Sequence, residues 1–190
     1  MDNPVQDKLK RIPYASLEEL LRQELLRGED PRASQIIQQV RHTRKDKQLS
    51  RGEFLQICRW KSPRAIRQYG RNRRVTIART IRAVLSTRSE QRRLAYLTNL
   101  KGVSVPMASA ILTLINPDRY GILDIRVWRL LYEIKSVRTN PRGQGFSFRN
   151  WYHYLRKLRY LAKQLKVSVR TVERTLFEYH KKVQRGRLYG

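Results

Sequence analysis

Helix-starting signals recur along this chain while strand signals are nearly missing, and that combination restricts the fold more than any other feature. Ser16-Leu17-Glu18-Glu19 has capping-box spacing, a serine followed three residues on by a carboxylate. Leu17, Leu20, Leu21 and Leu25 then fall at helical spacing until Gly28 closes the segment. Residues 33 to about 44 predict a second helix with Ile36, Ile37 and Val40 on one stripe. Ser50-Arg51-Gly52-Glu53 repeats the capping box ahead of Phe54, Leu55, Ile57, Cys58 and Trp60, and Ser62-Pro63 supplies a cap with proline at the first helical position. Further helices are predicted at about 72–86, 89–99, 125–134 and 146–165, the last after a Pro/Gly-containing loop at 139–145. No Asn-Gly or Asp-Gly hairpin occurs, and the one β-branched run is the short stretch 103–106. The expectation is a single all-α compact domain over 1–190, built from eight to ten helices.

Charge narrows the partner. The chain carries 42 Lys and Arg against 15 Asp and Glu, a net +27. Five of those cations and seven of those acids lie in residues 1–30, leaving 37 and eight, net +29, for residues 31–190. A folded domain with that excess repels itself unless a polyanion lies against it, so double-stranded DNA is the expected partner, with the acidic-to-neutral helix of 1–30 off the binding face. A basic composition alone also suits RNA or an anionic membrane surface. No apolar run approaches the roughly 20 residues that span a bilayer, and Met1-Asp2-Asn3-Pro4 does not read as a secretory leader. Cys58 is the sole cysteine, and His42, His153 and His180 are scattered, so neither a disulfide framework nor a metal or other cofactor site is expected. These features predict a monomeric, cytoplasmic, nucleoid-associated protein with no membrane contact and no obligatory protein partner.

The informative segment is 100–132. Leu100-Lys101-Gly102-Val103 reads as a tight turn between two helices, and Ser104 opens a second helix rich in small residues, including Ala108, Ser109 and Ala110. Backbone amides in such a turn and in the first turn of the following helix point outward with partial positive charge, which suits a phosphate. Lys101, Gly102, Val103, Ser104 and Val105 are therefore candidate DNA contacts, and Arg126 is a further one. Leu123-Asp124-Ile125-Arg126-Val127-Trp128-Arg129-Leu130 follows after a loop. Asp124 has the position of an N-cap for the helix at 125–134.

The order of these elements resembles the helix-hairpin-helix superfamily of DNA glycosylases. The resemblance implies that Asp124 is catalytic, stabilising the positive charge that develops on deoxyribose as an N-glycosidic bond breaks. Two positions depart from the family pattern: Ser104 stands where a second glycine is usual, and Pro106 stands where bifunctional members carry a Schiff-base lysine. The implied enzyme is monofunctional, hydrolysing the bond of a damaged or modified base in base-excision repair and leaving an abasic site. Without a cysteine cluster it has no iron–sulfur cluster. The flipped base needs an aromatic pocket; Trp60, Tyr69, Trp128 and Trp151 are aromatic candidates, with Trp60 and Tyr69 preferred because 53–69 interleaves aromatics with Arg59, Lys61, Arg64 and Arg67. Glu53 is the candidate second carboxylate, although its capping box gives it a structural role as well.

Two other readings remain open. A non-catalytic member would use the hairpin to bind DNA alone. Residues 161–176 also have a helix-turn-helix pattern, in which Arg170, Thr171 and Arg174 would read a major groove as in a transcription regulator; the alternative is a final helix capped by Ser168 that packs Val172, Leu176 and Tyr179 inward. The basic helices of 146–190 belong to the domain in either case.

Overall fold

The computed structural model describes residues 9–185. Its elements are α1 (Leu17–Glu24), α2 (Pro31–Val40), α3 (Thr43–Asp46), α4 (Arg51–Lys61), a 3₁₀ turn (Pro63–Ala65), α5 (Ile66–Tyr69), α6 (Arg74–Ser86), α7 (Glu90–Thr98), α8 (Val105–Ile115), α9 (Ile125–Glu133), α10 (Phe148–Leu165) and α11 (Val169–Val183). The fold is all-α; the described residues hold no strand, and the one β-bridge joins Leu9 to Gln184.

Short polar caps set most helix starts. Side-chain oxygens of Ser16, Asp30, Ser50, Ser89, Ser104, Asp124, Ser147 and Ser168 each accept a first-turn backbone N–H, satisfying donors that have no partner within the helix. At Ser50 the box is complete, with Glu53 returning a bond to the Ser50 amide. Two expectations change. The helix predicted over 33–44 is two helices, because Asp30 caps one turn earlier with Pro31 at the first position and the chain turns between Val40 and Thr43. Ser62 makes no side-chain cap bond, and Pro63 starts only a 3₁₀ turn.

Helix α8 is buried all round from Met107 to Ile115, with only Ser109 and Thr113 polar along that stretch and both hydrogen-bonded to backbone, as a nearly all-apolar helix must be. It packs against α2, α4, α7 and α10, while α11 packs against α1, α9 and α10. Trp128 (1% exposed) and Trp151 (fully buried) sit in the core; the Trp128 indole N–H donates to the Asn140 carbonyl at 2.8 Å. Neither tryptophan lines the two clefts beside Asp124, since burying their large apolar area stabilises the core more than leaving it in a wet cleft. Among the described residues no helix is long and apolar enough to cross a membrane.

Candidate functional site

The turn between α7 and α8 is held from below. Gly102 has φ +81°, and a Cβ there would lie 2.8 Å from Gln68 Cβ and 3.1 Å from the Tyr69 ring, so both backbone sterics and the close approach of α5 require glycine. Asn72, 4% exposed, clamps the turn: its side-chain oxygen accepts the Lys101 N–H at 2.9 Å, and its amide donates to the Lys101 and Tyr69 carbonyls at 3.0 and 2.9 Å. The Lys101 amide is thereby used inside the protein. Among the described residues the amides of Gly102, Ser104 and Val105 have no acceptor, while Val103 N–H bonds Leu100 and Met107 N–H bonds the Ser104 hydroxyl. The α7–α8 turn thus offers three open N–H groups rather than the full set expected, with the exposed Lys101 beside them.

Asp124 ends a fixed segment. Ile122 N–H donates to Glu173 of α11, Ile122 carbonyl accepts the Tyr154 hydroxyl of α10 at 2.7 Å, and Leu123 N–H donates to the Ser109 hydroxyl of α8 at 2.8 Å. Gly121 allows this approach, since a Cβ would meet Leu158 Cδ1 at 2.6 Å. Three helices therefore locate one carboxylate. Asp124 Oδ1 caps α9 by accepting the Arg126 N–H at 3.0 Å, and Oδ2 receives Lys61 Nζ at 2.5 Å. Burial pushes the carboxyl up, but the charge and hydrogen bond of Lys61 and the Arg126 amide and guanidinium outweigh it, so Asp124 titrates below its ordinary 3.8 and is ionised at neutral pH.

Two clefts share Lys61, Asp124 and Ile125 as a common wall. One, of about 680 Å³, is bounded by the hairpin and adds Tyr69, Pro106, Met107 and Phe146. The other, of about 550 Å³, is lined by Trp60, Arg126, Glu173 and Phe177. Both volumes suit a small organic group, the usual range being roughly 300–1,000 Å³.

The candidate residues divide accordingly. Tyr69 and residues 103–105 lie on the hairpin side of Asp124. Trp60 and Arg126 lie on the other side, with the Arg126 side chain bonded to Gln184 and its guanidinium 5.9 Å from the Phe177 ring centroid. Glu53 does not join the site: it sits in its capping box, accepts from His42 at 2.9 Å, and is two turns of α4, about 12 Å, from Lys61. The carboxyl that does approach is Glu173, 2% exposed, which burial pushes up despite its bond to Arg170. Sequence reasoning named Lys61 only among the cations of 53–69, and missed Asn72 and Glu173. Glu173 had a signal, being the sole acid between Glu133 and Glu178; an acid in such a basic segment must be paired or used.

The inward alternative for the last helix holds at its capping and packing. Ser168 caps α11, and Val172, Leu176 and Tyr179 are buried. Arg170 is 7% exposed and bonded to Glu29 and Glu173, while Arg174 reaches the Gly28 carbonyl. Arg170 is thus held in the interior, and Arg174, 20% exposed, is tied to the Gly28 carbonyl and Glu29. Compared with known proteins, the chain matches no family model, no curated protein and no solved structure.

Proposed function

We propose that the protein binds DNA through the α7–α8 hairpin and hydrolyses the N-glycosidic bond of a damaged or modified nucleotide. The observation that carries this reading is an ionised carboxylate, Asp124, fixed by three helices on the wall of a cleft whose rim is the hairpin. A backbone phosphate would lie on the Gly102, Ser104 and Val105 amides beside Lys101, as anions do at helix N-termini. The flipped nucleotide would enter the cleft with Tyr69, Met107 and Phe146 around it. As the C1′–N bond breaks, the base leaves with the bonding electron pair and positive charge grows on the sugar. Asp124 stabilises that charge and orients a water, which adds to C1′, its proton ending on the departed base.

The test is a base-release assay over duplexes carrying uracil, mismatched, alkylated, oxidised and hypermodified bases, with alkali to cleave abasic sites and Asp124→Asn alongside. Alkali-dependent scission that falls at least a hundredfold in the variant supports the proposal. Tight, salt-sensitive duplex binding with no release from any base favours a non-catalytic hairpin protein.

One observation favours a bifunctional variant of this chemistry. Pro106 cannot be a nucleophile, but Lys61 arrives from α4 and stands 2.5 Å from Asp124. After passing its ammonium proton to the leaving base, its amine would bond C1′, open the ring as an imine and permit strand cleavage by elimination. Borohydride would then trap a protein–DNA adduct that Lys61→Met abolishes. No adduct, with alkali still required for scission, leaves the monofunctional reaction.

A further inference from the structure

We propose that the outer face of α10 is a second nucleic-acid contact, a platform for an unpaired strand. Residues 134–172 contain ten Lys and Arg and no Asp or Glu. Helix α10 spans the middle of this stretch and turns Trp151, Tyr154, Leu155, Leu158 and Leu161 inward. Its exposed residues include Arg149, Tyr152, Arg156, Tyr160 and Lys163, which at 100° per residue fall within about 80° of one another on one face. Tyr152 and Tyr160 are 38% and 57% exposed, two of the three large hydrophobic side chains that face solvent among the described residues. They lie two turns apart, about 12 Å along the axis, so separate bases can rest on them.

Tyr152 is already held as a stacking surface. Its ring lies 5.4 Å from Phe148 with 14° between the planes, so a base laid on it would extend an existing stack at little ordering cost. The two ends of the face also lead somewhere. Phe146, just ahead of the helix, lines the hairpin-side cleft. At the far end Lys163 and Lys166 lie around a shallow depression that also holds Asp118 and the two arginines paired to Glu90, Arg119 and Arg159. A strand leaving the cleft can follow cations along the whole helix, about 27 Å.

Tyrosines alternating with cations, with no carboxylate among them, suit a partner that offers an anionic backbone and π-faces together. An acidic protein surface satisfies the charges but not the rings. The inference does not depend on whether the chain excises a base.

The experiment uses the full chain and fluorescence anisotropy with two probes, a twenty-nucleotide oligothymidylate and a blunt duplex of equal length. Tyr152→Ala with Tyr160→Ala should weaken oligothymidylate binding by about tenfold or more while duplex affinity stays within twofold. Arg156→Ala with Lys163→Ala, tested separately, should lower the salt slope for the oligonucleotide by about 1.4. Circular dichroism melting checks that both variants fold. Oligothymidylate affinity unchanged in the tyrosine variant, or falling in parallel with duplex affinity, overturns the proposal. So does polyglutamate that competes as well as oligothymidylate at equal charge, which would point to an acidic protein.

Discussion

Replacing Lys61 by Met tests the geometry at the centre of the site. Lys61 Nζ is 2.5 Å from Asp124, and the side chains are 18% and 16% exposed. Losing one partner of a fully buried pair costs roughly 3–5 kcal/mol and of a surface pair roughly 0–1 kcal/mol. This pair lies between those limits, and Asp124 keeps the Arg126 N–H, so about 2 kcal/mol is expected. For a chain of this length that lowers Tm by about 4–8 °C. The pH dependence separates charge from packing. In the native protein the Asp124 pKa is depressed below 3.8, so its stabilising contribution is present above that value and is lost as pH falls through the folded-state value. Without Lys61, burial raises the pKa, and the carboxyl takes up a proton on acidification instead of remaining an unpaired charge. Urea unfolding of the two proteins should differ most at neutral pH, with the gap closing below about pH 4. Lys61→Met added to Asp124→Asn should cost much less than in the native background. A gap that is the same at pH 3 and pH 7, or a full cost in the double variant, refutes the ion-pair argument and assigns the loss to the lysine stem.

Other perturbations read the hairpin. Gly102→Ala forces a side chain into the left-handed region and against Gln68 and Tyr69; about 3 kcal/mol of destabilisation is expected, combining roughly 1–2 kcal/mol of backbone strain with the clash, measured by thermal melting. Asn72→Ala leaves the Lys101 N–H and carbonyl without their partner, costing about 2–3 kcal/mol and weakening duplex binding in anisotropy assays as the turn loosens. Arg64, on the rim of the hairpin-side cleft, is expected to contact phosphate: Arg64→Ala should reduce the salt slope of duplex binding by about 0.9 with equal loss on all sequences.

The helices were legible because their punctuation is local. A serine or aspartate before an apolar stripe decides a start within four residues, and Ser50, Ser89, Ser104 and Ser168 all act as such caps. Asp124 was legible for the same reason, since its capping role and its place after the hairpin are both sequence-adjacent. Lys61 was named only as one cation in an aromatic-rich stretch, because its partner is 63 residues away and nothing in one sequence states that the end of α4 meets the start of α9. Asn72 is as distant from the turn it clamps in effect, 29 residues from Lys101. Trp60 and Tyr69 illustrate the converse error. Nine residues apart, they looked like one pocket, yet the turn through Pro63–Ala65 and α5 sends them to opposite sides of the Lys61–Asp124 wall.

The distribution of acids gives Asp124 its meaning. A carboxylate facing a polyanion weakens binding, so a chain this basic is expected to keep its few acids inward or paired. Glu29 bridges to Arg170 and Arg174, and Glu24 to Lys182. From residue 54 to residue 172 only Glu90, Asp118, Asp124 and Glu133 are acidic. Glu90 is enclosed by Arg93, Arg119 and Arg159, Asp118 pairs with Arg44, and Glu133 is exposed at the end of α9. Asp124 alone of the four lines the two clefts. An N-cap of α9 could be served by serine or asparagine without charge, as serines serve elsewhere in this chain. Asp124 already pairs with Lys61 and caps α9, so it contributes to folding; under the proposed reaction the same carboxylate would have a second role, meeting positive charge formed within the cleft.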